Sequence, residues 1–297
     1  MNGRTIAVSA LGQFKRARVA YLKLRGQTPD SVAEQRVASG QAWEEFCDTL
    51  KSAGAAMVFP GTPTDPLTQA EGYRYLSRLT RAGLEAFVEC ADPHAPVLRR
   101  MVHETVKLGS DNPDNYYMNA NIDGTLEYRI SGTRGTVDYL GFGTQEGNYG
   151  EGGQMPTTGY VEADDLEIAP DGTFELILSA TEHPGNWLPM TPETGLVIVR
   201  QTFADRTTEV PADLHIEVLG GNAAPKPLTA APWTRASGGR ACWWPARRCS
   251  SQSGPETFSS TPTSCRCSIR NVPPRPVAIR TSSTTRAIGG SVPTRRS

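Results

Sequence analysis

Leucine disappears after Pro232. From Trp233 to Ser297 the chain has no Leu, Met, Tyr, Lys, Asp or His, and its one acid is Glu256. Those 65 residues hold eleven Arg, seven Pro, twenty Ser or Thr and four of the six Cys. Leu is among the commonest residues of globular chains, so this segment has little from which to build a core. Other absences exclude whole classes. No apolar run is long enough to cross a membrane as a helix, and the stretch from Ile6 to Leu11 is too short and too polar for a good secretory signal. Before the tail the only cysteines are Cys47 and Cys90, in no paired motif, which reads as buried thiols in a reducing, cytoplasmic setting. Cys265-Arg266-Cys267 lies in the tail and is not read as a metal or redox site.

The overall net charge of −1 averages two unlike parts. The tail is strongly basic. The first 232 residues carry 19 Lys or Arg against 30 acids. That acidic body argues against nucleic-acid binding, which needs a basic face for phosphate. A nucleic-acid binder acting through the basic tail remains an alternative that depends on the tail being genuine. The genetic code offers another account of the tail. In the frame starting at each codon's third base, Trp233-Thr234 becomes Asp and Cys242-Trp243-Trp244-Pro245 becomes Leu-Val-Ala. A continuous reading is available in that frame, and with suitable codons at the degenerate positions it restores the missing Leu, Asp and Tyr. The favoured expectation is a frameshift between about Thr229 and Trp233; the alternative is a disordered basic tail.

Residues 1–29 read as a poorly ordered basic leader and 30–108 as a helical region. Ser31 is the expected N-cap of a run with Val32, Ala33, Val37, Ala42, Trp43, Phe46 and Leu50 at mixed three- and four-residue spacing. The breaker-rich link from Pro60 to Thr64 ends that unit, and Asp65-Pro66 starts a second helix with a cap and a first-turn proline. Leu67, Tyr73, Leu76, Leu79, Leu84, Phe87 and Val88 would form its buried stripe, and a third helix is predicted over 96–108. At Gly109 the period becomes two. Leu126, Tyr128 and Ile130 alternate with polar residues, as do Phe174, Leu176 and Leu178, and Leu214, Ile216 and Val218. Val197, Val199 and Phe203 share a parity that Gln201 interrupts. Asp123-Gly124 and Asp171-Gly172 stand at expected hairpin turns. The predicted class is α+β: N-terminal helices, an antiparallel β-sandwich or jelly-roll-like domain over 109–228, and the low-hydrophobicity tail over 229–297.

Three segments carry a family resemblance. They are Asn119-Ala120-Asn121-Ile122-Asp123 leading to Tyr128-Arg129-Ile130-Ser131-Gly132; Asp171-Gly172-Thr173-Phe174-Glu175; and Pro184-Gly185-Asn186-Trp187-Leu188-Pro189 followed by Val199-Arg200-Gln201. In this order, over residues 111–218, they resemble the bacterial family known as domain of unknown function 1214. The resemblance implies a β-rich sandwich and leaves the activity open.

Two kinds of chemistry are expected as alternatives. For a binding or interaction module, Trp187 would line a pocket while the Asn186 amide orients a small ligand, apolar or carboxylate-bearing. Arg200 would offer its planar fork to a carboxylate, with Tyr139 beside it. Against this, Trp187 is favoured as a plug closing the sandwich, and Arg200 as the partner of a local acid. For a hydrolase, His183 would be the general base, assisted by Glu182 or Asp165. No Gly-x-Ser-x-Gly nucleophile motif accompanies it. His94, His103 and His215 lack metal-ligand spacing. Asp111-Asn112-Pro113-Asp114-Asn115 reads as a capped turn rather than a calcium loop, and Glu162, Asp164 and Asp165 as solvated acids. No metal, cofactor or membrane span is expected, and the oligomeric state is left open.

Overall fold

The computed structural model describes residues 17, 20–58, 61–108, 111–149, 155–221 and 224–234. The expectations for the start of the leader and for the tail beyond 234 lie outside them. Helix α1 spans Pro29–Ala38 and α2 spans Gln41–Ala55. Thr28, not Ser31, is the N-cap of α1. Its Oγ1 accepts from Ser31 N at 3.1 Å, while Thr28 N donates to Ser31 Oγ at 3.0 Å. The two hydroxyls thus satisfy one another's free backbone donors. Gly40 separates the two helices at φ +79°, a left-handed conformation that ends helices. Helix α3, Pro66–Leu84, begins as expected, with Asp65 Oδ1 accepting from Thr68 N at 2.9 Å. It continues into a π-helical turn, Glu85–Glu89, in which Cys90 N donates to Glu85 O at 2.9 Å. Its stripe is only partly buried: Leu79 and Phe87 are covered, but Leu67 is 73% exposed.

The third helix predicted over 96–108 does not form. Arg99 instead bridges to the edge of the first strand, its N donating to Asn119 O at 3.1 Å and its O accepting from Asn119 N at 2.9 Å. His103 and Val106 close a tight turn by exchanging backbone bonds. With those groups engaged there is no helical ladder, and the segment buries Met101, Val102 and Val106 from an irregular backbone.

Eight strands follow among the described residues: β1 Asn115–Asn121, β2 Tyr128–Thr133, β3 Tyr139–Glu146, β4 Thr157–Glu162, β5 Thr173–Ser179, β6 Trp187–Pro189, β7 Thr194–Thr202 and β8 Asp213–Val218. They form two four-stranded sheets, ordered β1-β7-β3-β4 and β6-β5-β2-β8. Every pair is antiparallel except β5 with β6. A short helix α4, Ala230–Thr234, comes last among the described elements. The chain is therefore α+β, helices first and two antiparallel-rich sheets after. No helix among the described residues is long and apolar enough to cross a membrane.

The two Asp-Gly turns are real but are not hairpins. β1 and β2 belong to different sheets, as do β4 and β5, so each turn serves a crossing between layers. At the first, Gly124 N reaches across to Thr194 O at 2.9 Å. The core lies between the sheets, where Tyr128, Ile130, Phe142, Leu176, Leu188 and Val199 are fully buried. Gln201 keeps the inward parity of Val197 and Val199. It is buried because Oε1 accepts from Ala212 N at 2.6 Å and Nε2 donates to Ala212 O at 3.5 Å, tying β7 to the residues before β8.

Candidate functional site

Alternation fixes which side chains leave the core. Leu140 and Phe142 of β3 and Val197 and Val199 of β7 point inward, so Tyr139, Gly141, Gly143 and Gln145 face outward, as do Ile198 and Arg200. The registers then align residues across the outer face of this sheet. Tyr117, Arg200, Gly141 and Glu162 form one row over β1, β7, β3 and β4; Asn119, Ile198, Gly143 and Tyr160 form the next. Two glycines in the middle of a strand leave a trough, which the Tyr139 and Tyr160 hydroxyls enter over Gly141; glycine in such a position often marks close approach by another group.

Polar groups converge over this trough. The point where a Cβ on Gly141 would lie is 2.5 Å from the Tyr139 hydroxyl and 2.7 Å from the Tyr160 hydroxyl. Over Gly143 the nearest atoms are the Tyr160 ring at 3.4 Å, Gln145 Nε2 at 3.6 Å and Arg200 Nη1 at 3.8 Å. Gln145 is held by donating to Thr157 Oγ1 at 3.3 Å. Tyr160 is 40% exposed, so the trough opens to solvent on the β4 side. Partial burial raises the Tyr160 pKa; the Glu162 carboxylate adds to the rise and the Arg200 guanidinium opposes it. Arg200 and Glu162 are both half-buried, and neither makes a side-chain hydrogen bond or ion pair with the described residues.

The helical region meets the same face at its other end. Asn121 Nδ2 donates to Ala86 O at 2.8 Å and to Cys90 O at 2.7 Å, satisfying carbonyls around the π-helical turn, and Asn148 donates to Asn121 Oδ1 at 2.6 Å. Between these contacts and the trough sits Asn119, 2% exposed, with neither amide atom partnered.

No family model and no curated protein matches the chain. Among solved structures it is similar to an uncharacterised protein from Burkholderia cenocepacia, with 50% identity and a TM-score of 0.66 over 71% of this chain and 58% of that one. The chain thus spans less than two thirds of that protein's length. A protein from Vibrio parahaemolyticus, 15% identical, gives a TM-score of 0.28 over 56% of this chain and 49% of that one, too slight a likeness to bear on the fold.

Of the four residues expected to bind a ligand, the structure brings two together. Tyr139 and Arg200 share the trough. Trp187 belongs to the other sheet, and Asn186 immediately precedes it. The Asn186 amide is spent on backbone: Oδ1 accepts from Glu167 N at 2.7 Å, and Nδ2 donates to Glu167 O and Glu175 O, each at 2.9 Å. Trp187 is not the core plug. The parallel register sets Leu178 beside Leu188 and Ile177 beside Trp187, so Leu188 points inward and Trp187 outward. Half-buried there, its Nε1 donates to Ser179 Oγ at 3.1 Å.

The expected catalytic group is not assembled. His183 is exposed in the loop before β6, its Nδ1 2.8 Å from Pro184 O. Glu182 beside it and Asp165, in the short turn Ala163–Asp165 after β4, are exposed too, and no hydrogen bond or ion pair among the described residues joins the three. The turn at 111–115 is capped as expected, with Asp114 N donating to Asn112 Oδ1 at 2.9 Å. Among the described residues no three His, Cys, Asp or Glu side chains gather to hold a metal. Sequence reasoning missed Gly141, Gly143, Gln145 and Tyr160, and it assigned Glu162 to solvent. One signal was available: Tyr139, Gly141, Gly143 and Gln145 recur at period two, which places both glycines on the face of Tyr139.

Proposed function

We propose that this chain is a small-molecule-binding protein of the bacterial, cytoplasmic family known as domain of unknown function 1214, and that its ligand carries a carboxylate. The observation that supports this is the trough along β3, where two tyrosine hydroxyls stand over Gly141 and the unpaired Arg200 guanidinium reaches over Gly143. A guanidinium offers a planar fork matched to a carboxylate. Tyrosine contributes a flat apolar face and a hydroxyl that donates or accepts.

The test uses 3-phenylpropionate and its neutral analogue 3-phenylpropionamide, titrated into the wild type and Arg200→Gln by calorimetry. Hydrogen bonds to charged groups are worth about 1.5–3 kcal/mol, so Arg200→Gln weakens the acid at least about tenfold and leaves the amide unchanged. Equal binding of acid and amide, or an indifferent Arg200→Gln, overturns the reading.

We infer separately that the residues following about Thr229 are read out of frame. The support is the loss of Leu, Asp and Tyr after Pro232, together with the Asp and Leu that Trp233-Thr234 and Cys242-Trp243 force in the shifted reading. Resequencing the DNA for residues 225–297 tests it: an inserted or missing base near codon 230 is expected, and an intact frame refutes the inference.

A further inference from the structure

We infer that the trough takes a short zwitterion, with Arg200 holding the carboxylate and Glu162 the ammonium of an amino acid. The inference rests on the trough being the ligand site. Its ground is a second charge that a simple carboxylate leaves unused. Arg200 and Glu162 flank Gly141 in one row, on the strands either side of β3. Val161 packs inward against the core, so Glu162 shares the outward parity of Tyr160 and Arg200. The two charges do not pair with one another, and neither has another ionic partner among the described residues.

Two half-buried opposite charges left apart are unfavourable, because each has lost part of its hydration without gaining a counter-charge. Strand spacing sets their backbones roughly 10 Å apart, two inter-strand steps of about 4.8 Å. Arg200 reaches toward β3, its Nη1 3.8 Å from the point above Gly143, so a ligand held by both heads needs its own charges only a few atoms apart. The hydroxyls of Tyr139 and Tyr160 stand over Gly141 between them. A tyrosine hydroxyl donates to a carboxylate as readily as it accepts from an ammonium, so both fit this position. The opposed influences of Glu162 and Arg200 on the Tyr160 hydroxyl place it within electrostatic reach of both groups. A ligand bearing both charges therefore meets a complementary group at each end and a two-way hydrogen-bonding pair in the middle.

Three related probes separate the charges: L-phenylalanine carries both, 3-phenylpropionate only the carboxylate, and phenethylamine only the ammonium. Calorimetric titration is expected to find phenylalanine about tenfold tighter than 3-phenylpropionate, the scale of one charge-assisted hydrogen-bonded contact. Glu162→Gln removes that preference without weakening 3-phenylpropionate, and Glu162→Asp restores part of it. Circular dichroism of each variant confirms that the sheets persist. If 3-phenylpropionate binds through Arg200 but phenylalanine binds no tighter, or if Glu162→Gln keeps the preference, the zwitterion is refuted and the carboxylate site stands. If neither acid depends on Arg200, the trough itself is wrong and both readings fall together.

Discussion

Replacing Gly141 by alanine separates a ligand seat from a packing necessity. A Cβ there would stand 2.5 Å from the Tyr139 hydroxyl, 2.7 Å from the Tyr160 hydroxyl and 2.9 Å from Tyr139 Cζ. All three atoms belong to the far ends of side chains, and Tyr160 is 40% exposed, so the rings move aside without disturbing backbone. Alanine also loses less conformational entropy than glycine in a strand, by about 0.5–1 kcal/mol. The two effects oppose each other, and the net change in stability is expected within about 1 kcal/mol, a shift in Tm of at most about 4 °C for a domain of this size. Gly159→Ala is the contrasting case. Its Cβ would overlap the carbonyl oxygen of Pro189 in the facing sheet and stand 2.9 Å from Thr144 Oγ1. Backbone cannot swing aside, so about 3 kcal/mol of overpacking is expected. Thermal melts of both variants, with 3-phenylpropionate titrated into Gly141→Ala, decide the matter. Expected are a near-native melt and at least tenfold weaker binding for Gly141→Ala, and a clearly lowered melt for Gly159→Ala. Should Gly141→Ala melt as low as Gly159→Ala, the tyrosine hydroxyls are locked packing and not a ligand seat.

The neighbouring residues of β6 are expected to invert the usual order of aromatic over aliphatic loss. Leu188→Ala should cost about 3 kcal/mol because its side chain is fully buried between the sheets, and Trp187→Ala about 1–2 kcal/mol because that ring is only half-buried; urea unfolding of both variants checks the order, and a larger loss for Trp187→Ala refutes the outward placement. Asp92 supplies a pH dependence. Burial raises its pKa, but hydrogen bonds from Lys226 N and His94 N outweigh this and hold it below the ordinary carboxylate value. A depressed folded pKa means stability that is present above the unfolded value, near about 3.9, and is lost as pH falls through the folded one. Asp92→Asn should therefore lower Tm at pH 6 and flatten the decline of Tm below about pH 4, whereas parallel declines in both proteins would contradict the assignment.

The parts of this fold legible in the sequence are those decided locally. Asp65-Pro66 starts a helix because the cap and the proline act within one turn, and β5 shows its period because Phe174, Leu176 and Leu178 are buried in alternation along it. Decisions made across the chain were not legible. Asp123-Gly124 announces a turn equally well whether the next strand pairs beside the last or crosses to the other sheet. The segment 96–108 carries apolar residues that suit a helix, but the edge of β1 offers Arg99 backbone partners that a local pattern does not register. The face of Trp187 is set by a three-residue parallel pairing with β5, where a shift of one residue would exchange Trp187 with Leu188.

The candidate site divides along the same line. Tyr139 and Arg200 stand out as side chains, and the structure unites them. What unites them is the absence of side chains at Gly141 and Gly143, and an absence leaves no hydrophobic period to read. Glu162 looked like one of three solvated acids because Asp164 and Asp165 follow it within three residues. Antiparallel register separates it from them, carrying Glu162 outward across Gly141 from Arg200 while the turn Ala163–Asp165 leaves the strand. The glycines that admit the two tyrosine hydroxyls therefore also leave the two opposite charges on one face, and that placement rests on register across three strands rather than on any motif within one.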